Sequence, residues 1–204
     1  MGQRQATTRG VLPAKEQELS RATLEGCKAH EPLAFRTFVL CHQSAVFALV
    51  SRIVGPGAQV QDLAQEIFLR AYRAFPSFDL DGPARVSTWV LTIAVRLALN
   101  ARKRTARTVV VPLTDAIVVR DSITPETEQA RRELGRAIAR AAAELSDDQR
   151  AAFVLAEFHG MSLSDIAAAL EIPEGTVKTR LFRARALLRE RLTAFQQEPK
   201  GETR

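Results

Sequence analysis

The sequence predicts an all-α protein made of two small helical domains joined by a flexible linker, the C-terminal one containing a helix-turn-helix. Three observations carry this. Apolar residues recur at three- and four-residue steps over most of the chain, which is helical spacing. That periodicity breaks once, over residues 106–128, between two periodic halves. Inside the break, Val109-Val110-Val111 and Ile117-Val118-Val119 are short β-branched runs that find no partner strands elsewhere. A length of 204 residues suffices for two such domains, each burying a core. The predicted organisation is a mobile arm at 1–16, a first domain at 17–105, a linker at 106–128, a second domain at 129–195 and a polar tail at 196–204.

Composition narrows the function classes. A hydrophobic content of 46% with 25% charged residues is that of an ordinary soluble protein. The net charge of +6 favours a polyanionic partner, nucleic acid or a membrane surface. No uninterrupted apolar run is long enough to span a bilayer, and MGQRQATTRG lacks an apolar signal core, so a cytosolic chain without membrane insertion is expected.

In chain order, Glu16 to Ala29 forms a short helix that stops before Pro32. Phe35, Phe38, Val39, His42, Val46, Leu49, Val50 and Ile53 make an amphipathic helix ending at Gly55-Pro56-Gly57. Cys27 and Cys41 are too few for a disulfide framework. With His30 and His42 they give a C-x-x-H and a C-H pair. Both segments are helical and the paired spacing of a zinc finger is missing, so buried thiols are expected, with no metal and no cofactor. The next helix carries an unbroken apolar stripe, Val60, Leu63, Ala64, Ile67, Phe68, Ala71, Tyr72 and Phe75. Asp62, Gln65, Glu66, Leu69 and Arg73 share its other side. Taken alone these residues favour a solvated face over a docking surface for a basic helix.

Phe78 to Pro83 is a loop by its turn chemistry. The helix after it turns Val86, Trp89, Val90, Ile93, Ala94, Leu97 and Ala98 inward. Thr92, Arg96, Asn100, Lys103, Arg104 and Arg107 form a basic-polar ridge on the opposite side, suited to a phosphate backbone. Asp79 and Arg85 lie where the loop can hold a base. Trp89, on the apolar stripe, is assigned to the core, with a base-stacking platform as the competing role. Beyond the linker, Ala130, Leu134, Ala137, Ile138, Ala141 and Leu145 resume helical spacing. Ser146 and Gln149 form a capping box for a helix through Val154, Leu155 and Phe158, halted by Gly160.

Ser162 to Arg191 then reads as helix, tight break and helix. Ser162 with Asp165 caps the first helix, and Leu163, Ile166, Ala167 and Leu170 form its apolar face. Pro173 ends it and Glu174-Gly175-Thr176 restarts the chain. Val177, Leu181, Ala184 and Leu188 are the buried stripe of the second helix. Lys178, Thr179, Phe182, Arg183, Arg185 and Arg189 fall mostly away from it. This is the helix-turn-helix pattern for the major groove of DNA, against the plainer alternative of an αα-hairpin with a solvated basic face.

Asp62-Leu63-Ala64-Gln65-Glu66-Ile67-Phe68-Leu69-Arg70-Ala71-Tyr72 resembles the D-x-x-Q-E-x-F-L-R-A-Y motif of the extracytoplasmic-function sigma factors, and Thr88-Trp89-Val90-Leu91-Thr92-Ile93-Ala94 resembles their T-W-L-x-x-I-A helix. Glu144 to Phe153 and Gly160 to Arg191, above all Pro173 to Leu181, resemble their second conserved region. The likeness spans about residues 17–195 in the family's order. It implies that the first domain binds core RNA polymerase and the melted −10 strand, and that the second reads the −35 duplex. By motif match, Asp62, Gln65, Glu66 and Leu69 then dock on the polymerase, which reverses the solvated-face reading. The −10 set becomes Asp79, Arg85, Trp89, Arg96, Asn100, Lys103 and Arg104. The −35 set becomes Lys178, Thr179, Phe182 and Arg183, with Arg180 and Arg185 in support and a phosphate on the amides of Gly175 and Thr176. Implied partners are the largest and beta subunits of core polymerase, promoter DNA and an anti-sigma factor clamped between the domains.

Val95-Arg96 replaces the family's frequent Arg-Asn pair, and Asp79 to Pro83 replaces the R-G-x-S loop, so the captured −10 base does not carry over. No catalysis is expected, because His30, His42 and His159 are scattered and no nucleophile constellation exists. Two rivals stand beside this reading. One is a stand-alone helix-turn-helix regulator with an N-terminal sensor domain; the other is an interaction module that sequesters a partner.

Overall fold

A computed structural model describes residues 19–105 and 140–197, with 135, 137 and 138 between them. The expected arm, the linker with its β-branched runs and Arg107, and residues 198–204 of the tail lie outside the described residues. Among those described, all regular structure is helical: α1 (Arg21–Lys28), α2 (Pro32–Val54), α3 (Gln59–Ala74) with a 3-10 turn at Phe75–Ser77, α4 (Val86–Thr105), α5 (140–143), α6 (Asp147–Glu157), α7 (Leu163–Leu170) and α8 (Glu174–Gln197).

Local chemistry fixes most boundaries. The Ser20 hydroxyl caps α1 by accepting from the Thr23 amide at 3.2 Å. Pro32 occupies the first turn of α2, where its missing N–H costs nothing. Gly55, at φ 90°, ends α2 in a conformation that disfavours a side chain. At α6 both halves of the capping box form, the Ser146 hydroxyl accepting from the Gln149 amide and the Gln149 side chain from the Ser146 amide. Gly160, at φ 61°, turns the chain after α6.

Helix α2 is the centre of the fold. It buries Phe38, His42, Val46, Leu49, Val50 and Ile53 and packs against α1, α3, α4 and α6. By length and composition it is apolar enough to cross a membrane, with mean hydropathy 1.5, although it is not an uninterrupted apolar run. The run is interrupted by Arg36, Thr37, His42, Gln43, Ser44, Ser51 and Arg52, and four helices pack against it while Leu33 and Leu40 stay exposed. Aromatic rings continue the packing outward. Phe38 meets Phe75 edge-on at 5.1 Å, Phe75 meets Trp89 at 5.2 Å, and Trp89 leans on Phe78 at 5.0 Å.

The two halves do not keep separate cores. One continuous buried cluster runs from Cys27 through Leu91 and Val95 to Ile166, Val177 and Leu181. Helix α4 packs on α2 and α3 and also on α7 and α6. Its buried arc accordingly includes Leu91 and Val95, outside the stripe expected for a helix with one apolar face. Among the described residues, a small second cluster, Ala141, Leu145, Ala184 and Leu188, belongs to the C-terminal half alone.

Charged groups line the seam between the halves. Arg102 of α4 donates to the Ile53 carbonyl at 2.8 Å and pairs with the Asp147 carboxylate. Arg52 lies over the Phe158 ring at 4.2 Å. Arg150 is buried, donates to the Ala143 carbonyl at 3.2 Å, and is pushed down to about 10 by burial, with Arg102 adding repulsion. His159 is pushed down to about 4, first by burial and then by the charge of Arg52.

A histidine held neutral in the fold destabilises it wherever the unfolded chain takes up the proton. Stability is therefore full above pH 6.5 and declines as pH falls from 6.5 towards 4. Between pH 7 and pH 5 the expected loss is about 2 kcal/mol. Urea unfolding at both pH values, for the wild type and His159→Gln, checks this; the variant should lose most of the difference.

Candidate nucleic-acid interface

The C-terminal hairpin is assembled from local rules. The Ser162 hydroxyl accepts from the Asp165 amide at 3.1 Å and donates to its carboxylate at 2.7 Å, capping α7 as predicted. Glu171 takes the left-handed conformation at φ 57° and closes α7. The Pro173 carbonyl then accepts from both Thr176 and Val177 amides, at 2.9 and 3.2 Å, starting α8. The Thr176 amide is thus already bonded, which corrects the expectation of two free donors for a phosphate. Gly175 remains, with open space around its Cα.

On α8, Val177, Leu181, Ala184 and Leu188 are buried as predicted. Lys178, Thr179, Phe182 and Arg183 share one outward strip at i, i+1, i+4 and i+5, all exposed. Phe182 is 73% exposed, an aromatic ring left to solvent among cations. Arg180 and Arg185 are committed within the half. Arg180 pairs with Asp148 at 2.7 Å and Arg185 with Glu157 at 2.6 Å, both on α6. They tie α8 to α6, a bracing arrangement that agrees with the supporting place expected of these two residues from sequence.

The predicted −10 ridge on α4 is divided. Asn100, Lys103 and Arg104 are exposed. Arg96 donates to the Ala169 and Ala168 carbonyls, at 2.9 and 3.0 Å, and pairs with Glu171 at 3.1 Å. These acceptors lie at the C-terminal end of α7, where the helix dipole favours a cation. In this arrangement the α4 ridge is partly closed by the other half. Trp89 is half-buried among Phe75 and Phe78, closer to the core assignment than to a free platform. Asp79 and Arg85 are exposed in and beside the loop before α4.

On α3, Asp62, Gln65 and Leu69 are exposed on one side at i, i+3 and i+7. Glu66 is half-exposed and paired with Arg70 at 2.7 Å. Leu69 keeps 42% of its surface in solvent, so this face is not purely charged. Sequence reasoning missed Arg102, which ties two distant segments, and Arg21, which reaches Asp81 across the chain; neither sits in a local motif. Cys27 is fully buried and its thiol is pushed up to about 11 by burial, while His30 turns its ring to the Tyr72 carbonyl at 3.1 Å.

Two family models match the chain, sigma-70 region 2 over residues 38–108 and sigma-70 region 4 over residues 135–188. The chain is 33% identical to the RNA polymerase sigma-H factor of Pseudomonas aeruginosa, over 89% of this chain and 98% of that one. The chain belongs to the extracytoplasmic-function sigma factors. It is likewise 35% identical to the ECF RNA polymerase sigma-E factor of Escherichia coli K12, over 83% of this chain and 92% of that protein. Among solved structures it resembles CnrH in complex with the cytosolic domain of CnrY, with TM-score 0.62, 26% identity, and coverage of 85% of this chain and 97% of that one. It also resembles the sigma factor RpoE in complex with the anti-sigma factor NepR from Bartonella quintana, with TM-score 0.58, 25% identity, and coverage of 78% and 96%. As an alternative sigma factor the protein directs transcription initiation, and the reading as a stand-alone regulator is not favoured.

The seam makes a prediction of its own. Arg96→Ala combined with Arg102→Ala removes charge-assisted bonds on both sides of it. The closing equilibrium should shift by about 1.5–3 kcal/mol towards separated halves. Energy transfer between dyes on exposed positions of α3 and α8 should fall in the double variant and stay unchanged in Arg189→Ala.

Proposed function

We propose that residues 17–105 hold core RNA polymerase and the melted −10 strand, and that residues 129–195 read the −35 duplex. The observation that carries this is the strip Lys178, Thr179, Phe182 and Arg183, which is exposed to solvent while neighbouring Arg180 and Arg185 are tied to α6. A strip two turns long, with cations for phosphates or guanine edges and a ring for a thymine methyl, fits a major groove. Asp62, Gln65, Glu66 and Leu69 supply the polymerase dock, an acidic and partly apolar face suited to a basic partner helix. Asn100, Lys103 and Arg104 track the single strand, with Asp79, Arg85 and Trp89 at the base-holding end.

The seam gives Arg96 two competing anions. In the closed arrangement it serves the C-terminus of α7; on promoter DNA it serves a phosphate. Binding of polymerase and DNA would then include separation of the halves. An anti-sigma factor that favours the closed arrangement, or inserts into the seam, would hold the chain inactive; the complexes known for CnrH and RpoE support this kind of partner. The chain works in the cytoplasm and performs no bond chemistry itself. Melting is assisted by trapping unstacked bases, which offsets a cost of about a few kcal/mol per base.

Asp62→Arg with Glu66→Arg should abolish co-purification with core polymerase and leave −35 duplex binding intact. Promoter-specific transcription by that double variant would sink the docking assignment. Arg183→Ala should cost about 1–3 kcal/mol and relax discrimination at one base pair. Equal weakening on all sequences, measured by fluorescence anisotropy, would show a phosphate contact instead.

A further inference from the structure

The loop between the 3-10 turn and α4 is fastened from one side by α1. Lys28 donates its ammonium to the Phe78 carbonyl at 2.8 Å, at the start of the loop. Arg21, seven residues earlier and so on the same face of α1, makes a two-pronged contact with Asp81, at 2.6 and 3.2 Å. The Arg21 Nε also donates to Glu25 at 3.0 Å, which fixes the guanidinium plane. Inside the loop the Asp81 amide donates to the Asp79 carboxylate at 3.0 Å. A Cβ on Gly82 would stand 3.0 Å from the other Asp79 oxygen, so the glycine lets this carboxylate tuck in. On the far side Phe78 is clamped by Phe75 and Trp89.

Both members of the Arg21–Asp81 pair are well exposed, at 61% and 74%. Such a pair adds little to stability. Its consequences are geometric and electrostatic. It holds the backbone at Asp81, and it offsets one of two carboxylates in a loop that must approach a polyanion. Contact with Arg21 keeps the Asp81 carboxyl below its usual range, so the pair stays charged throughout the neutral region.

We propose that Arg21, with Lys28, is a positioning residue for −10 recognition. Helix α1 acts as a brace that sets the Phe78–Asp81 segment and presents Asp79 to the unstacked strand. This rests on the reading that the loop holds a −10 base. Arg21 itself touches no base, so its loss alters selectivity through the loop and leaves the −35 grip alone.

The test is single-round transcription with core polymerase on promoters carrying each base in turn across the −10 element. Arg21→Ala should lower the preference for the favoured base over the next best by about threefold to fivefold, the ceiling for an exposed pair. Affinity for −35 duplex and the thermal midpoint should be unchanged. The charge swap Arg21→Asp with Asp81→Arg should regain most of the preference. Two results overturn the brace while leaving the parent reading intact: an unaltered base profile in Arg21→Ala, or an equal drop on every promoter that the swap does not restore. A wild type without any −10 base preference overturns the parent reading and the brace together.

Discussion

The packing of α4 sets the terms for everything else in this protein. One side of the helix must fill the space beside α2 and α3, where Val90, Ala94 and Ala98 are fully enclosed. Another part of its surface lies against α7, and what remains carries Asn100, Lys103 and Arg104 into solvent. A helix has only one circumference, so each added neighbour narrows the strip left to solvent. Burial of apolar side chains, at about 25 cal/mol per Å², outweighs the modest gain of any exposed ion pair. The apolar contacts therefore choose where α4 lies, and the charged ridge takes the surface left over. Arg96 sits at the border between these demands, which explains why a residue of the charged ridge is found capping a helix of the other half.

The same division of labour orders the arginines of α8. A long basic helix without internal partners would repel itself and present its cations without register. Asp148 and Glu157 of α6 neutralise Arg180 and Arg185 and pull α8 against the hairpin's supporting helix. Capping at Ser146 places those two acids, because the box fixes where α6 starts and hence which residues face α8. The sequence of causes runs from a serine hydroxyl, through helix phase, to the face that α8 turns outward.

Legibility in the sequence followed the distance over which each interaction acts. The caps at Ser146 and Ser162, the stop at Gly160, the α3 stripe and the buried row of α8 all depend on neighbours within four residues, and each stands where the pattern put it. Leu91 and Val95 were not legible as core, since their burial depends on α4 having neighbours on more than one side. The double role of Arg96, the Arg102–Asp147 tie and the Arg21–Asp81 fork join residues between about forty and seventy positions apart. No periodicity encodes such pairs. Helix α2 illustrates the opposite failure, because its composition fits a membrane span as well as a central helix, and composition alone does not show which helices pack on it.

The candidate sites divide along the same line. The strip on α8 could be read from one helix because a groove-binding helix works as a unit, with all contacts on one face. The proposed −10 site is composite: α4 gives the ridge, the loop gives Asp79, and α1 contacts the loop through Arg21 and Lys28. Its motif names the parts that face DNA and is silent about the brace, which never meets the ligand. A loop rich in Asp and Gly has many conformations to lose on ordering, at roughly 1–2 kcal/mol per residue. Tethering Phe78 and Asp81 to a helix moves part of that cost from the moment of ligand binding to the moment of folding. A pre-set loop can then discriminate between bases by fit, where a mobile one would mould itself to several.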